Sequence, residues 1–162
     1  MKKFILILIF APYVLWGQII NITSEDYTSW YKYQKDTSYN SSGTTCIAMI
    51  IDRWGPEVSA KSIRNQMNGR NLETFESLLK ILNNYGIKFY YLFKLSKWND
   101  DGILMINVDD SKSGGSRNHY MIIVGQTKDS YIVNDPAKGF PLFYYHKDYI
   151  RKIRKKYIIW IP

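Results

Sequence analysis

The chain has 162 residues, of which 46% are hydrophobic and 16% aromatic, and its formal net charge is +8. This size and composition predict one folded domain with its own core, and they exclude a disordered or low-complexity chain. Because Cys46 is the only cysteine, they also exclude an internal disulfide framework.

The first residues have the pattern of an export signal. Two lysines precede an apolar run from Phe4 to Trp16, which is long enough for the apolar part of a secretory signal and short for a membrane span. We predict a signal peptide over residues 1–17, with cleavage after Gly17 and a retained membrane anchor as the alternative. Residues 18–162 then form the domain, and the expected location is secreted or periplasmic.

Helices are predicted for the first half of this domain. The first runs over Thr44–Trp54, before a Gly-Pro pair, and a short second helix over Ser59–Met67 takes Ser59 as its cap. The third has apolar residues at helical spacing over Leu72–Leu82, and Gly86 ends it.

Strands are predicted for the second half. Six short runs are rich in Ile, Val, Tyr and Phe and are bounded by Gly, Asn, Asp or Pro: IKFYYLF, GILMINV, HYMIIVG, SYIVND, PLFYY and YIIWI. Helices followed by strands predict an α+β fold with N-terminal helices packed on a mostly antiparallel sheet.

A basic segment precedes the last predicted strand. Residues 147–156 contain six lysines and arginines and one aspartate. We interpret this segment as a solvated helix face or loop, because nothing around it resembles a known nucleic-acid-binding module. No nucleic-acid partner is predicted, and binding to an anionic surface is the alternative.

Two features could carry chemistry together. The polar sequence SSGTTC, residues 41–46, leads into the first helix, and a helix N-terminus stabilises a thiolate or an oxyanion. His119 and Asp135 lie on consecutive predicted strands. An odd-length hairpin loop would place them directly opposite each other, where a carboxylate can orient an imidazole. An even-length loop without a bulge would place them on opposite faces of the sheet.

Each of these residues also has an ordinary structural interpretation. His119 alone could be a surface or core residue, the sequence NDP around Asp135 is common in turns, and Cys46 could be a buried helix thiol. His146 belongs to no such pattern. Two histidines and one cysteine without close spacing predict no metal site, and no cofactor is predicted.

The order of these pieces resembles the double-glycine leader peptidase domain that processes bacteriocins, which is a papain-like cysteine peptidase. The pieces are Gln34, SGTTCIAMI, LETFESLLKILNNYGIKFYYL, NHYMIIVG and YIVNDPAKG. The resemblance implies a papain-like fold and a peptide or protein substrate. It also implies that Gln34 contributes to an oxyanion hole, that His119 is the base and that Asp135 orients it.

The resemblance places the nucleophile at Ser42. The family pattern is Cys-Gly followed by a stretch that ends in an aliphatic residue, a small residue and Met, and here Gly43 and Ile47–Met49 match it. Cys46 lies one helical turn further, about 5.4 Å along the axis, which is too far for direct proton transfer to His119. Ser42 is therefore predicted beside His119, and Cys46 is the alternative nucleophile.

A serine hydroxyl is a much weaker nucleophile than a thiol at neutral pH, because it does not lose its proton to the same extent. Three functions stay open: a degenerate peptidase domain that binds peptides without cutting them, an active hydrolase that uses Ser42 or Cys46, and a relative with another binding role. Family members that process leaders are fused to transporters. The sequence contains no transporter segment and begins with an export pattern, so a double-glycine leader is not the expected substrate.

Overall fold

A computed structural model of the protein describes residues 41–67, 74–98, 102–109, 111, 118–138 and 142–162, without the side chain of residue 156. Gln34, Leu72 and the predicted signal peptide lie outside the described residues.

Three helices come first in the described chain: α1 (Ser42–Trp54), α2 (Ala60–Gln66) and α3 (Phe75–Asn84). The predicted cap of α2 is present, since the Ser59 side chain accepts a hydrogen bond from a backbone N–H in the first turn. None of the helices in the described ranges is long and apolar enough to cross a membrane.

Helix α1 begins two residues earlier than predicted. The Ser41 carbonyl accepts hydrogen bonds from the Thr45 N–H at 2.9 Å, the Thr44 hydroxyl at 3.0 Å and the Thr45 hydroxyl at 2.7 Å. Because both threonines bond back to this carbonyl, they extend the helix towards its N-terminus. Ser42 is therefore the first helical residue.

Six strands, a fourth α-helix and a short 3-10 helix over Leu95–Lys97 complete the described fold. The strands and the α-helix are β1 (Tyr90–Leu92), β2 (Ile103–Val108), β3 (His119–Gln126), β4 (Ser130–Asn134), β5 (Phe143–His146), α4 (Lys147–Ile153) and β6 (Arg154–Ile161). The sheet order is β1-β6-β2-β3-β4-β5, and every neighbouring pair is antiparallel. The predicted α+β class with helices on an antiparallel sheet is confirmed. The basic segment forms α4 and the start of β6.

Both faces of this sheet are covered. Helices α1 to α3 pack on one face, here called the helix face, whose buried sheet residues include Ile103, Met105, Tyr120, Ile122, Ile132 and Ile159. The other face, here called the α4 face, packs against Leu95, Trp98 and α4, and includes Leu104, Ile106, Met121, Ile123, Val133 and Ile158. Because β2 is buried along its whole length, its sequence shows no alternation of apolar and polar residues.

Candidate active site

Ser42 connects the start of α1 to the start of β3. Its Oγ accepts a hydrogen bond from the Tyr120 N–H at 3.1 Å, and its side chain is buried. Tyr120 directly follows His119, so the Ser42 hydroxyl contacts the backbone next to that histidine. The first turn of α1 contains no acidic residue. The helix N-terminus therefore leaves a positive field at Ser42, which favours negative charge on an atom there.

His119 and Asp135 form a hydrogen-bonded acid–base pair. The distance between His119 Nε2 and Asp135 Oδ1 is 2.6 Å, and both side chains are buried. Because Nε2 is engaged by the carboxylate, Nδ1 is the ring nitrogen that can exchange a proton with a nucleophile or a ligand. A base held by a carboxylate in this way is the arrangement that nucleophilic catalysis requires.

The two residues meet through a bulge rather than through a hairpin of odd length. Gln126 pairs with Tyr131 near the turn, so an even number of residues, 127–130, separates them. The register then shifts between Ile123 and Gly125. The extra residue restores the alternation of faces, so that His119 and Asp135 share a face. If the pairing beyond the bulge is continued, they are diagonal neighbours and not directly opposed, within reach of their side chains.

Asp135 has hydrogen-bond donors on both carboxylate oxygens. Oδ1 also accepts the Ala137 N–H at 3.0 Å, and Oδ2 accepts the Tyr145 hydroxyl at 2.8 Å. Burial by itself raises the pKa of Asp135, but the hydrogen bond and charge of His119 and the hydrogen bonds from Tyr145 and Ala137 outweigh it. The pKa of Asp135 is therefore below its ordinary value. The residue is a carboxylate at neutral pH.

The sequence model of the Peptidase C39 family matches residues 30–157 of the chain. The protein belongs to the Peptidase C39 family. A comparison with curated proteins gives no match.

Solved structures of C39 peptidase domains have the same fold. The peptidase domain of Streptococcus ComA, a bifunctional ABC transporter involved in quorum sensing, is 17% identical with a TM-score of 0.69, over 81% of this chain and 97% of that one. A double-glycine motif protease from an AMS/PCAT transporter, solved with its leader peptide, is 16% identical with a TM-score of 0.64, and the match covers 80% of this chain and 89% of that one. The ComA peptidase domain of Streptococcus mutans, solved with an inhibitor, is 18% identical with a TM-score of 0.60, and the match covers 82% of this chain and 99% of that one. The predicted resemblance and papain-like fold are confirmed.

Of the five predicted site residues of this C39 domain, the structure joins His119 directly to Asp135, and it joins Ser42 to the backbone N–H of Tyr120, the residue after His119. Cys46 is fully buried in the helix-face core, one turn further along α1 than Ser42. Gln34 lies outside the described residues, so its predicted part in an oxyanion hole stays a prediction. The catalytic roles of the other residues also stay predictions.

Tyr145 is the contact of the C39 site that sequence reasoning missed. It lies on β5 directly across from Tyr131 of β4, four residues before Asp135 in the chain. The sequence gives PLFYY as an ordinary aromatic strand, and nothing in it distinguishes one tyrosine from the next. Within the described parts of the chain, no group of three or more His, Cys, Asp and Glu side chains could hold a metal ion.

Proposed function

We propose that the protein is an exported C39-family domain that binds peptides and does not cleave them by the thiol mechanism of cysteine peptidases. One observation carries the proposal. A hydroxyl, that of Ser42, stands at the start of α1, where the family resemblance puts the attacking sulfur. It contacts the backbone of β3 one residue after His119, which forms an intact acid–base pair with Asp135. The AMS/PCAT protease solved with its leader peptide supports peptides as the ligand class.

Oxygen in place of sulfur changes the chemistry of this site. A cysteine at a helix N-terminus beside an imidazolium loses its proton near neutral pH and attacks as a thiolate. A serine hydroxyl keeps its proton and needs a base that removes it during the attack. The Ser42 hydroxyl is in addition held against the backbone of β3 by the Tyr120 N–H. We therefore expect cleavage to be lost and peptide binding to be kept.

A serine hydrolase is the second candidate function. Ser, His and Asp are the residues of many serine hydrolases, and the 2.6 Å bond between Asp135 and His119 is the orienting contact that such enzymes use. In this alternative, His119 Nδ1 accepts the Ser42 proton as the oxygen attacks the peptide carbonyl, and later gives it to the leaving amine.

Export is proposed from the first residues alone, because the basic start and the apolar run from Phe4 to Trp16 fit a secretory signal. N-terminal sequencing of the protein purified from its native host tests this. A chain that begins at Gln18 is expected, whereas a chain that keeps Met1 would contradict cleavage.

Active-site labelling tests the main proposal. The full chain is treated with a fluorescent peptide electrophile that reacts with thiols, and separately with a serine-reactive fluorophosphonate. We expect neither reagent to label the folded wild-type protein, because the Ser42 hydroxyl keeps its proton and Cys46 lies in the helix-face core, one helical turn beyond Ser42. We expect the peptide electrophile to label Ser42→Cys rapidly, and His119→Ala to abolish that labelling.

The control for this experiment is Ser62→Cys, which puts a thiol on the exposed side of α2, away from His119. Its labelling should be slow and independent of His119. Fluorophosphonate labelling of the wild type that requires His119 would instead establish the serine hydrolase. Thiol labelling of the wild type that requires His119 would identify Cys46 as the nucleophile.

A further inference from the structure

We infer that Tyr145 is a positioning residue for the acid–base pair, and that its hydroxyl fixes the Asp135 carboxylate so that Oδ1 faces the His119 ring. The inference deepens the proposed function, and only the expected reactivity of a Ser42→Cys variant rests on that function. Tyr145 is assigned a positioning role because it acts through Asp135.

Both oxygens of the Asp135 carboxylate accept hydrogen bonds. His119 Nε2 and the Ala137 N–H engage Oδ1 at 2.6 and 3.0 Å, and the Tyr145 hydroxyl engages Oδ2 at 2.8 Å. A carboxylate with donors on both oxygens cannot rotate about its last bond without losing one of them. The Tyr145 bond therefore fixes the plane in which Asp135 meets the imidazole.

Tyr145 contacts Asp135 where the backbone pairing of the sheet has ended. The pairing between β4 and β5 stops at Val133 and Phe143, two residues before Asp135. The side chain of Tyr145 extends past that point. Its ring stacks on Tyr149 of α4, with centroids 5.8 Å apart and an angle of 12° between the planes. Packing on α4 limits the rotamers of the ring, so the hydroxyl is presented at a fixed place.

The same contact affects the charge of Asp135. Among the described residues, the titratable side chains that hydrogen-bond to this carboxylate include His119 from β3 and Tyr145 from β5, while Lys138 lies over the ring of Phe143. If the Tyr145 hydroxyl is removed, the buried carboxylate loses the hydrogen bond that Oδ2 accepts at 2.8 Å, and its charged form becomes less stable relative to the neutral carboxyl. The pKa of Asp135 is then expected to rise.

Nuclear magnetic resonance of Tyr145→Phe tests the inference on the folded full chain. The Asp135 carboxyl carbon is titrated from about pH 6 to about pH 2, the range in which carboxyl groups ionise. The two histidines give one imidazole signal set each, and the exposed His146 serves as an internal reference. The matched control is Tyr144→Phe, which removes the hydroxyl of the adjacent, 66% exposed tyrosine on the same strand.

We expect Tyr145→Phe to raise the pKa of Asp135 and to change the His119 imidazole signals, with the His146 signals and the Tyr144→Phe spectrum unchanged. Titration of Asp135 as in the wild type would overturn the inference, and so would an equal shift in Tyr144→Phe. A second measurement uses the wild type and needs no folded variant. The Tyr145 hydroxyl proton, which Oδ2 accepts, should exchange with water more slowly than that of the exposed Tyr144, and equal exchange of the two would overturn the inference.

A kinetic measurement adds a readout of positioning. In the Ser42→Cys background, Tyr145→Phe should slow alkylation by roughly tenfold, as expected for the loss of one charge-assisted hydrogen bond. Tyr144→Phe should leave the rate unchanged, and an equal loss in both variants would overturn the inference. If Ser42→Cys itself does not react, the proposed function fails while the resonance experiment still decides the role of Tyr145.

Discussion

The two halves of the candidate site are held together by different kinds of contact. Ser42, in the helix half, reaches the sheet through a backbone N–H, that of Tyr120. His119 and Asp135, in the sheet half, are joined to each other and to Tyr145 by side chains. A backbone N–H can donate to any small acceptor at residue 42. The sheet half depends instead on the identity of each of its side chains. The chemistry of the helix half can therefore change at a smaller structural cost than that of the sheet half.

The largest effect is expected for Asp135→Ala. The substitution leaves the buried His119 and the Tyr145 hydroxyl without their shared partner, and breaking a buried charged pair costs about 3 kcal/mol of unfolding free energy. Urea unfolding measures this loss. Asp148→Ala is the control, because the Asp148 side chain is 74% exposed and its ion pair is at the surface. Equal losses of unfolding free energy in the two variants would contradict the conclusion that the sheet half depends on its buried side-chain contacts.

A smaller effect is expected from acid. The folded pKa of Asp135 lies below the ordinary 3.8, so its contribution to stability is complete above that value. As the pH falls below 3.8 and through the folded pKa, the unfolded chain takes up the proton first and the free energy of unfolding decreases. Urea unfolding from about pH 7 to about pH 3 measures this decrease.

The control for the acid experiment is Asp135→Asn, which cannot ionise at this position. The variant should be less stable at neutral pH and should lose less stability on acidification than the wild type does. If the free energy of unfolding depends on pH in the same way in both proteins, Asp135 is not responsible for the loss of stability in acid.

The smallest effect is expected for Ser42→Ala, which tests the helix half. The substitution removes the buried hydrogen bond that Ser42 Oγ accepts from the Tyr120 N–H, at a cost of about 1 kcal/mol in unfolding free energy. Ser62→Ala, on the exposed side of α2, should change the free energy little. A loss at Ser42 as large as that of Asp135→Ala would contradict the difference between the two halves.

Much of the fold could be predicted from the sequence, because local signals and hydrophobic pattern agree in most elements. The Ser59 cap and the apolar spacing that ends at Leu82 each predict a helix that is present. The start of α1 was predicted two residues late, since the sequence does not show that the threonine hydroxyls at 44 and 45 turn back to Ser41.

The site was harder to predict, because it depends on how strands pair. The sequence left open whether His119 and Asp135 share a face, and the bulge that decides this is hidden in the apolar run of β3. Gly125, next to the bulge, is the one signal that could have revealed it, since an isolated glycine in a strand often marks a bulge. The Tyr145 contact depends on the register of β5, which the sequence does not specify.

The bulge in β3 accommodates one extra residue between the base and the acid. His119 and Asp135 are 16 residues apart, and they share a face of the sheet only because one residue between Ile123 and Gly125 is left out of the pairing. A deletion of Val124 would remove the bulge and leave the pairs on both sides of it in place, from Gln126 and Tyr131 to Ile122 and Asn134. A C39 relative with one residue fewer between the histidine and the aspartate, and with no bulge, could therefore hold the same pair.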